Sequence, residues 1–171
     1  MDTFVLSMHV LLAATLVGPQ FLLFYAVIPS TWLISDEKLR RNVTAVVVQR
    51  FGMLAGASIA GLILTGLVQL NSRSVGPDIR DNMMAYGFGP IFLAKMGMFV
   101  TLIVLIGVHG FVFGRRIRAA SEAVERGELD PGHLEAARRA SLLFSTLILL
   151  ASVVILFLGV ALTGEGAREL R

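Results

Sequence analysis

Cysteine is missing from this sequence of 171 residues. Its absence excludes disulfide bonds, thiolate metal ligands, iron–sulfur ligation and covalent attachment of a c-type haem. No acidic residue lies inside any long apolar stretch, which argues against a carboxylate proton relay and against a cation transporter. The phosphate-loop, dinucleotide-binding, HExxH and nucleophile-elbow motifs are absent as well, so no catalytic signature is present and enzyme activity is left open.

Apolar residues dominate what is present. They make up 56% of the chain, and the mean hydropathy is +0.78. Four stretches contain the roughly 18 mostly apolar residues that a membrane span needs, without the alternation of a β-strand. They are residues 3–28, 51–70, 91–113 and 141–163. The sequence therefore predicts an all-α polytopic membrane protein, a single domain over residues 1–171 in which four transmembrane helices form an antiparallel bundle.

The first span is predicted to be a retained helix. It is too long for a signal peptide, lacks a basic start and follows Asp2. Gly18-Pro19 predicts a kink within it, and Gln20 is well placed to satisfy a carbonyl that Pro19 leaves without a donor. Pro29 is predicted to end the helix.

Basic residues set the predicted orientation. Ten lie in the first and third connections between spans: Lys38, Arg40, Arg41, Arg50, Arg115, Arg116, Arg118, Arg126, Arg138 and Arg139. Four lie in the second connection and the tail: Arg73, Arg80, Arg168 and Arg171. Because Lys and Arg are enriched on the cytoplasmic side, this count predicts that both termini lie outside. The net charge of +3 thus reflects orientation and gives no sign of nucleic-acid binding.

A helical hairpin is predicted between the third and fourth spans. The third helix should continue past the membrane to Gly127, which suits the C′ position of a helix end. Asp130-Pro131 supplies an N-cap and a first-turn proline for the fourth helix. Residues 115–139 then form a cytoplasmic extension, on which His133 is exposed and inert.

The second span predicts one long helix, since residues 36–70 contain no proline. Gly52, Gly56 and Ala60 recur on it every four residues. Small residues at that spacing let two helices approach closely, so this stripe predicts packing within the bundle or against other membrane subunits.

Four polar residues of the second helix have alternative interpretations. Ser58, Thr65 and Gln69 form a weak stripe that suits interhelical hydrogen bonds better than ligands, although Gln69 stays among the candidate cofactor-binding residues. Arg50 at the inner boundary suits a lipid-headgroup anchor or, in the sharper interpretation, a partner for a carboxylate or haem propionate.

The strongest functional signal is the pair His9 and Lys95. Each lies a little more than one turn inside a membrane-length apolar stretch, where a titratable side chain is costly and by default marks a site. The two helices run in the same direction, so both residues belong to the outer end and can meet. His109 lies fourteen residues after Lys95, about 21 Å further along the axis. One cofactor cannot easily take both histidines, which favours His9 with Lys95.

Binding of a b-type haem is the first hypothesis for this pair. Membrane haems are commonly held between helices by histidine, with apolar walls and basic groups for the propionates. His9 is predicted to be the axial ligand of the iron. Lys95 is either the second axial ligand, if neutral, or a propionate partner, if charged. His109 with Arg50 forms a second candidate position near the inner face.

Three segments carry a resemblance to known families. MHVLLAATLVG in the first helix, RFGMLAGASIAGLILTGL in the second and FLAKMGMFVTL in the third resemble a group of four-helix bacterial membrane proteins. The group spans the DUF2269 integral membrane proteins, which are nearest, the CopD-type copper-resistance domain and the HemJ-type protoporphyrinogen oxidases. The resemblance implies the bacterial inner membrane and, from the HemJ-type members, haem b at His9 and Lys95. Where those members have Pro-Arg this chain has Pro29-Ser30, so protoporphyrinogen oxidation is not predicted.

Two alternatives stay open. The CopD-type resemblance implies copper handling, and Cu(I) favours thioether and imidazole ligands. Candidate copper ligands near the outer face are Met8, His9, Met83, Met84 and Met96. The other alternative is a non-catalytic subunit of a larger membrane complex, in which the polar pair only bonds to neighbouring helices. A haem-carrying subunit of an electron-transfer assembly would combine this role with the first hypothesis.

Overall fold

Helices make up nearly all of the computed structural model, which describes residues 2–71 and 77–169. None of the elements in these two ranges is a β-strand. The α-helices are α1 (Asp2–Leu22), α2 (Ile28–Trp32), α3 (Glu37–Leu70), α4 (Pro77–Asp81), α5 (Phe88–Val108), α6 (Gly114–Glu125) and α7 (Pro131–Ala161). Arg73 and Arg171, which entered the orientation count, lie outside the described residues.

Four helical stretches in the described part of the chain are long and apolar enough to cross a membrane. They are Thr3–Trp32, Glu37–Leu70, Phe88–Glu125 and Pro131–Ala161. The all-helical class and the four membrane-length helices are thereby confirmed. The reason is compositional, because each helix carries a long apolar run that no polar face interrupts.

The end of the first span differs from the prediction. Pro29 does not end the helix, which continues through α2 to Trp32. A π-helical segment, Leu23–Val27, precedes the proline, and the Ile28 N–H bonds to the Leu23 carbonyl, five residues back. A proline ring clashes with the carbonyl four residues before it in a regular α-helix. The wider π turn moves that carbonyl away and lets the helix pass Pro29.

Helices α1 and α5 share a local build. Each leads directly into a five-residue π-helical segment, Leu23–Val27 after α1 and His109–Phe113 after α5. His9 and Lys95 each lie fourteen residues before the segment. Six residues after His9 comes Thr15, and six after Lys95 comes Thr101. Each threonine hydroxyl donates to the carbonyl four residues before it. His9 and Lys95 therefore occupy equivalent positions in two helices of the same construction.

Contacts divide the chain into two units. One consists of residues 1–94 and 156–171, and the other of residues 95–155. In the first unit α1 packs closely along α3. A Cβ added at Gly61 of α3 would lie 2.7 Å from Leu12 Cδ1, so the leucine of α1 fills the space that the glycine leaves.

The predicted small-residue stripe is not what packs α3 onto α1. A Cβ at Gly52 or at Gly56 would meet no atom of the described chain within 4 Å, and Ala60 is exposed. The close contact falls at Gly61 instead, on another face of the same helix. Packing of Gly52, Gly56 and Ala60 against another membrane subunit stays a prediction.

Replacing Gly61 by leucine should separate α1 from α3. The new side chain has to enter space that Leu12 occupies, and overpacking of this kind costs about 1–3 kcal/mol. The matched control is Gly52→Leu, which adds the same side chain to the same helix where no described atom is near. Unfolding in mixed micelles, followed by circular dichroism, should show the loss for Gly61→Leu alone. Equal losses in both variants would contradict this account of the packing.

The second unit contains the predicted hairpin. Helix α6 ends at Glu125, and Gly127 follows at the C′ position with a φ of +72°. The Gly127 N–H donates to the Val124 carbonyl and the Glu128 N–H to the Ala123 carbonyl, which is the Schellman ending that a C′ glycine permits. Asp130 then caps α7, because its carboxylate accepts the Gly132 N–H at 2.9 Å. The local signals for the hairpin are confirmed, while its cytoplasmic location stays a prediction.

The tail folds back in the first unit. A 3₁₀ turn, Glu165–Ala167, follows α7, and Ala167 is almost completely buried. The Gly87 N–H donates to the Glu169 carbonyl at 3.1 Å, and a Cβ at Gly87 would collide with the Gly166 carbonyl oxygen. The turn before α5 thus requires a glycine, because the tail backbone lies directly against it.

Candidate functional site

His9 lies where α1 packs against α3. Its ring is half-buried, and its Nδ1 lies 2.7 Å from Thr65 Oγ1 of α3. A Cβ at Gly66 would be 3.6 Å from His9 Cε1, so the backbone of α3 passes close to the edge of the imidazole. The predicted interhelical hydrogen bond is confirmed for Thr65, and His9 is its partner.

The second contact of Thr65 determines which ring nitrogen of His9 carries the proton. Thr65 Oγ1 also lies 2.7 Å from the Gly61 carbonyl oxygen. A carbonyl has no hydrogen, so the threonine hydroxyl must donate its single proton there. The proton of the hydrogen bond between His9 and Thr65 must then come from the imidazole, so the Nδ1–H group donates to Thr65 Oγ1. In a neutral imidazole this places the lone pair on Nε2.

The arrangement follows from helix geometry and threonine chemistry. A threonine inside a helix commonly donates to the carbonyl four residues back, here Gly61. Residues three or four apart lie on one helix face, so His9 and Leu12 of α1 meet Thr65 and Gly61 of α3. The glycine that receives Leu12 is therefore also the acceptor that orients the Thr65 hydroxyl.

His109 has a different setting, in the second unit. It is the first residue of a π-helical segment, a kind of irregularity that is frequent at functional sites. Its Nε2 lies 3.3 Å from Ser145 Oγ, and that hydroxyl donates to the Ser141 carbonyl at 3.0 Å. By the same reasoning, His109 Nε2–H donates to Ser145, and the lone pair belongs to Nδ1.

The His109 ring is packed among aromatic side chains. Phe113 and Phe144 stack against it with centroid distances of 5.7 and 6.0 Å. Nδ1 is buried and has no hydrogen-bond partner within the described ranges. An iron atom therefore cannot reach Nδ1 without a movement of the ring, and Nε2 is a donor.

The remaining haem candidates are distributed over both units. Lys95 is half-buried and begins the second unit, whereas His9 belongs to the first, so their pairing stays a prediction. Gln69 is half-buried, one turn beyond Thr65 on α3. Arg50 is exposed on the same helix, and its role as a propionate partner also stays a prediction.

The candidate copper ligands belong to both units, since Met8, His9, Met83 and Met84 lie in the first and Met96 lies in the second, so a shared copper site stays a prediction. Met8 and Met96 are half-buried. Met84 is exposed, and its sulfur lies 3.0 Å from the place a Cβ would take at Gly89. Residues 2–71 and 77–169 contain no group of three or more histidine, cysteine or carboxylate side chains that could hold a metal ion.

Two structural features of α3 were not predicted from the sequence. Thr65 was expected only as one of three polar residues in a weak stripe, and no role was predicted for Gly61 or Gly66. The available signal was a threonine four residues after a glycine on an otherwise apolar helix, with a second glycine beside it.

Comparison of the chain with protein-family models, with curated proteins and with solved structures gave no match.

Proposed function

We propose that this protein binds a b-type haem in a membrane and that His9 Nε2 is an axial ligand of the iron. The observation that carries the proposal is the hydrogen bond from His9 Nδ1 to Thr65 Oγ1 at 2.7 Å. Metal-binding histidines nearly always donate their second ring N–H in this way, because it fixes the tautomer and the ring orientation. The Gly61 carbonyl holds the threonine in the accepting state.

The surroundings of His9 suit an apolar macrocycle. Val5, Leu6, Leu12 and Ala13, the residues three and four positions away on α1, are all apolar. Such walls exclude water and tune the potential of a haem iron.

The wider proposal concerns the membrane and the complex. The four apolar helices span the bacterial inner membrane, and the basic residues of the first and third connections hold those connections in the cytoplasm. Both termini, and His9, then belong to the periplasmic side. Lys95 supplies the second axial ligand or a propionate partner. The resemblance to HemJ-type proteins supports haem at His9 and Lys95, and the chain then acts as a haem-carrying electron-transfer or accessory subunit of a larger membrane complex.

A reduced-minus-oxidised visible spectrum of the detergent-purified protein tests the proposal. The expected result is a b-type α-band with close to one haem per chain, extractable by acid acetone because no cysteine can attach it. A colourless protein with stoichiometric copper would contradict haem binding and support the copper-handling function instead. A protein with neither haem nor metal would leave the role of a structural subunit.

A further inference from the structure

Charge is segregated along the hairpin formed by α6 and α7. Near its base lie four exposed arginines, here named the arginine collar: Arg115, Arg116, Arg118 and Arg139. Towards its turn lie four exposed acidic residues, here named the acidic tip: Glu122, Glu125, Glu128 and Asp130. Both sets belong to the second unit, so their separation is a property of one hairpin.

The collar is one level of the hairpin. The chain reverses at residues 126–130. His109 contacts Ser145 and Phe113 contacts Phe144, so the two sides of the hairpin run antiparallel. Ser121 on α6 and Leu134 on α7 are buried. Arg118 lies seven residues before the end of α6, and Arg139 eight residues after the start of α7. At 1.5 Å per residue both are about 11 Å from the turn. The apolar runs that end at Phe113 and begin at Ser141 meet this level directly.

Arginines elsewhere on the hairpin have internal partners. Arg126 donates to Glu128 at 2.8 Å, and Arg138 to Glu135 at 2.7 Å. The hydrogen bond from Arg126 holds the pKa of Glu128 below its usual range, so this carboxylate of the acidic tip stays ionised. The collar arginines, in contrast, make no ion pair with any residue in the described ranges.

We propose that the arginine collar binds the phosphates of anionic phospholipids on the cytoplasmic leaflet, while the acidic tip is repelled and keeps the hairpin upright. Guanidinium groups bind phosphate with two parallel N–H donors. Basic residues directly outside a membrane span are attracted to an anionic surface, and the attraction fades within about 10 Å. The collar lies where the apolar runs end, and the acidic tip lies further out.

Native mass spectrometry of the detergent-solubilised protein tests this inference. Phosphatidylglycerol and phosphatidylcholine with the same acyl chains are titrated separately. The wild-type chain should form the phosphatidylglycerol adduct at a concentration at least tenfold lower, since each arginine near an anionic surface contributes about fivefold. Equal affinity for the two lipids would overturn the proposal and leave an acidic protein partner as the occupant, and this comparison needs no variant.

Two triple variants separate a local site from net charge. Arg115→Gln/Arg116→Gln/Arg118→Gln removes three charges from the collar, and Lys38→Gln/Arg80→Gln/Arg168→Gln removes three exposed charges outside the hairpin. The preference for phosphatidylglycerol should fall at least fivefold in the collar variant alone, with Arg139 holding what remains, and circular dichroism should confirm equal helix content. Equal losses, or none, would overturn the proposal. Lipid binding by the collar depends on the proposed membrane insertion and not on haem. A colourless protein that still prefers phosphatidylglycerol would therefore contradict haem binding and leave the lipid proposal intact.

Discussion

Replacing His9 by alanine should abolish the b-type α-band, and the haem content of the purified protein should fall at least tenfold. The variant removes the proposed ligand nitrogen, and neither His109 nor His133 has a threonine hydroxyl at its Nδ1. The measurement is the haem-to-protein ratio after purification in detergent, with the reduced-minus-oxidised spectrum. Helix content should stay near the wild-type value, because a half-buried ring is replaced by a good helix former.

The chain supplies two matched controls. His109→Ala removes a ring whose Nε2–H donates to Ser145, and His133→Ala removes an exposed ring on α7. Both variants should keep most of the haem. A band that survives in His9→Ala and disappears in His109→Ala would move the ligand to the π-helical segment and contradict the proposal for His9. Free imidazole added to His9→Ala should restore part of the band, which a misfolded variant would not show.

Much of the fold could be predicted because its signals are local. Membrane-length helices follow from the length of the apolar runs, and the hairpin follows from Gly127 and Asp130-Pro131, whose chemistry acts within a few residues. The end of the first helix could not be predicted in the same way. Pro29 is tolerated only because Leu23–Val27 widens into a π turn, and no propensity of those five residues indicates one.

The site could be predicted only in part, for a reason of register. His9 stands out because it is a polar residue in an apolar helix. Its partner depends on which face of α3 turns towards α1, and Gly52, Gly56 and Ala60 are as small as the residues that make the contact. The rotation of α3 about its axis is determined by packing between helices. The sequence alone therefore could not show that the face with Gly61 and Thr65, and not the small-residue stripe, packs against α1.

Thr65→Val provides the sharper test of the proposed site. Valine keeps the shape and the branched Cβ of threonine and removes only the oxygen that accepts the His9 Nδ1–H. Residues that orient a metal-binding histidine typically contribute about 10–100-fold to affinity. We therefore expect haem to dissociate about 10–100-fold more readily, measured by transfer of haem to an excess of apomyoglobin. Thr65→Ser restores the hydroxyl and should recover most of the affinity.

Thr101→Val is the matched control, because it isolates the contact with histidine from the effect of losing a hydroxyl. The Thr101 hydroxyl donates to the Gly97 carbonyl at 2.9 Å, as Thr65 does to Gly61. Equal effects of the two substitutions would show that Thr65 stabilises the helix and does not position His9. If only Thr65→Val weakens binding, the cause is the loss of the hydrogen bond that fixes the tautomer and the orientation of the His9 ring. Without an acceptor at Nδ1 the proton can move to Nε2, and the nitrogen that should bind iron then loses its lone pair.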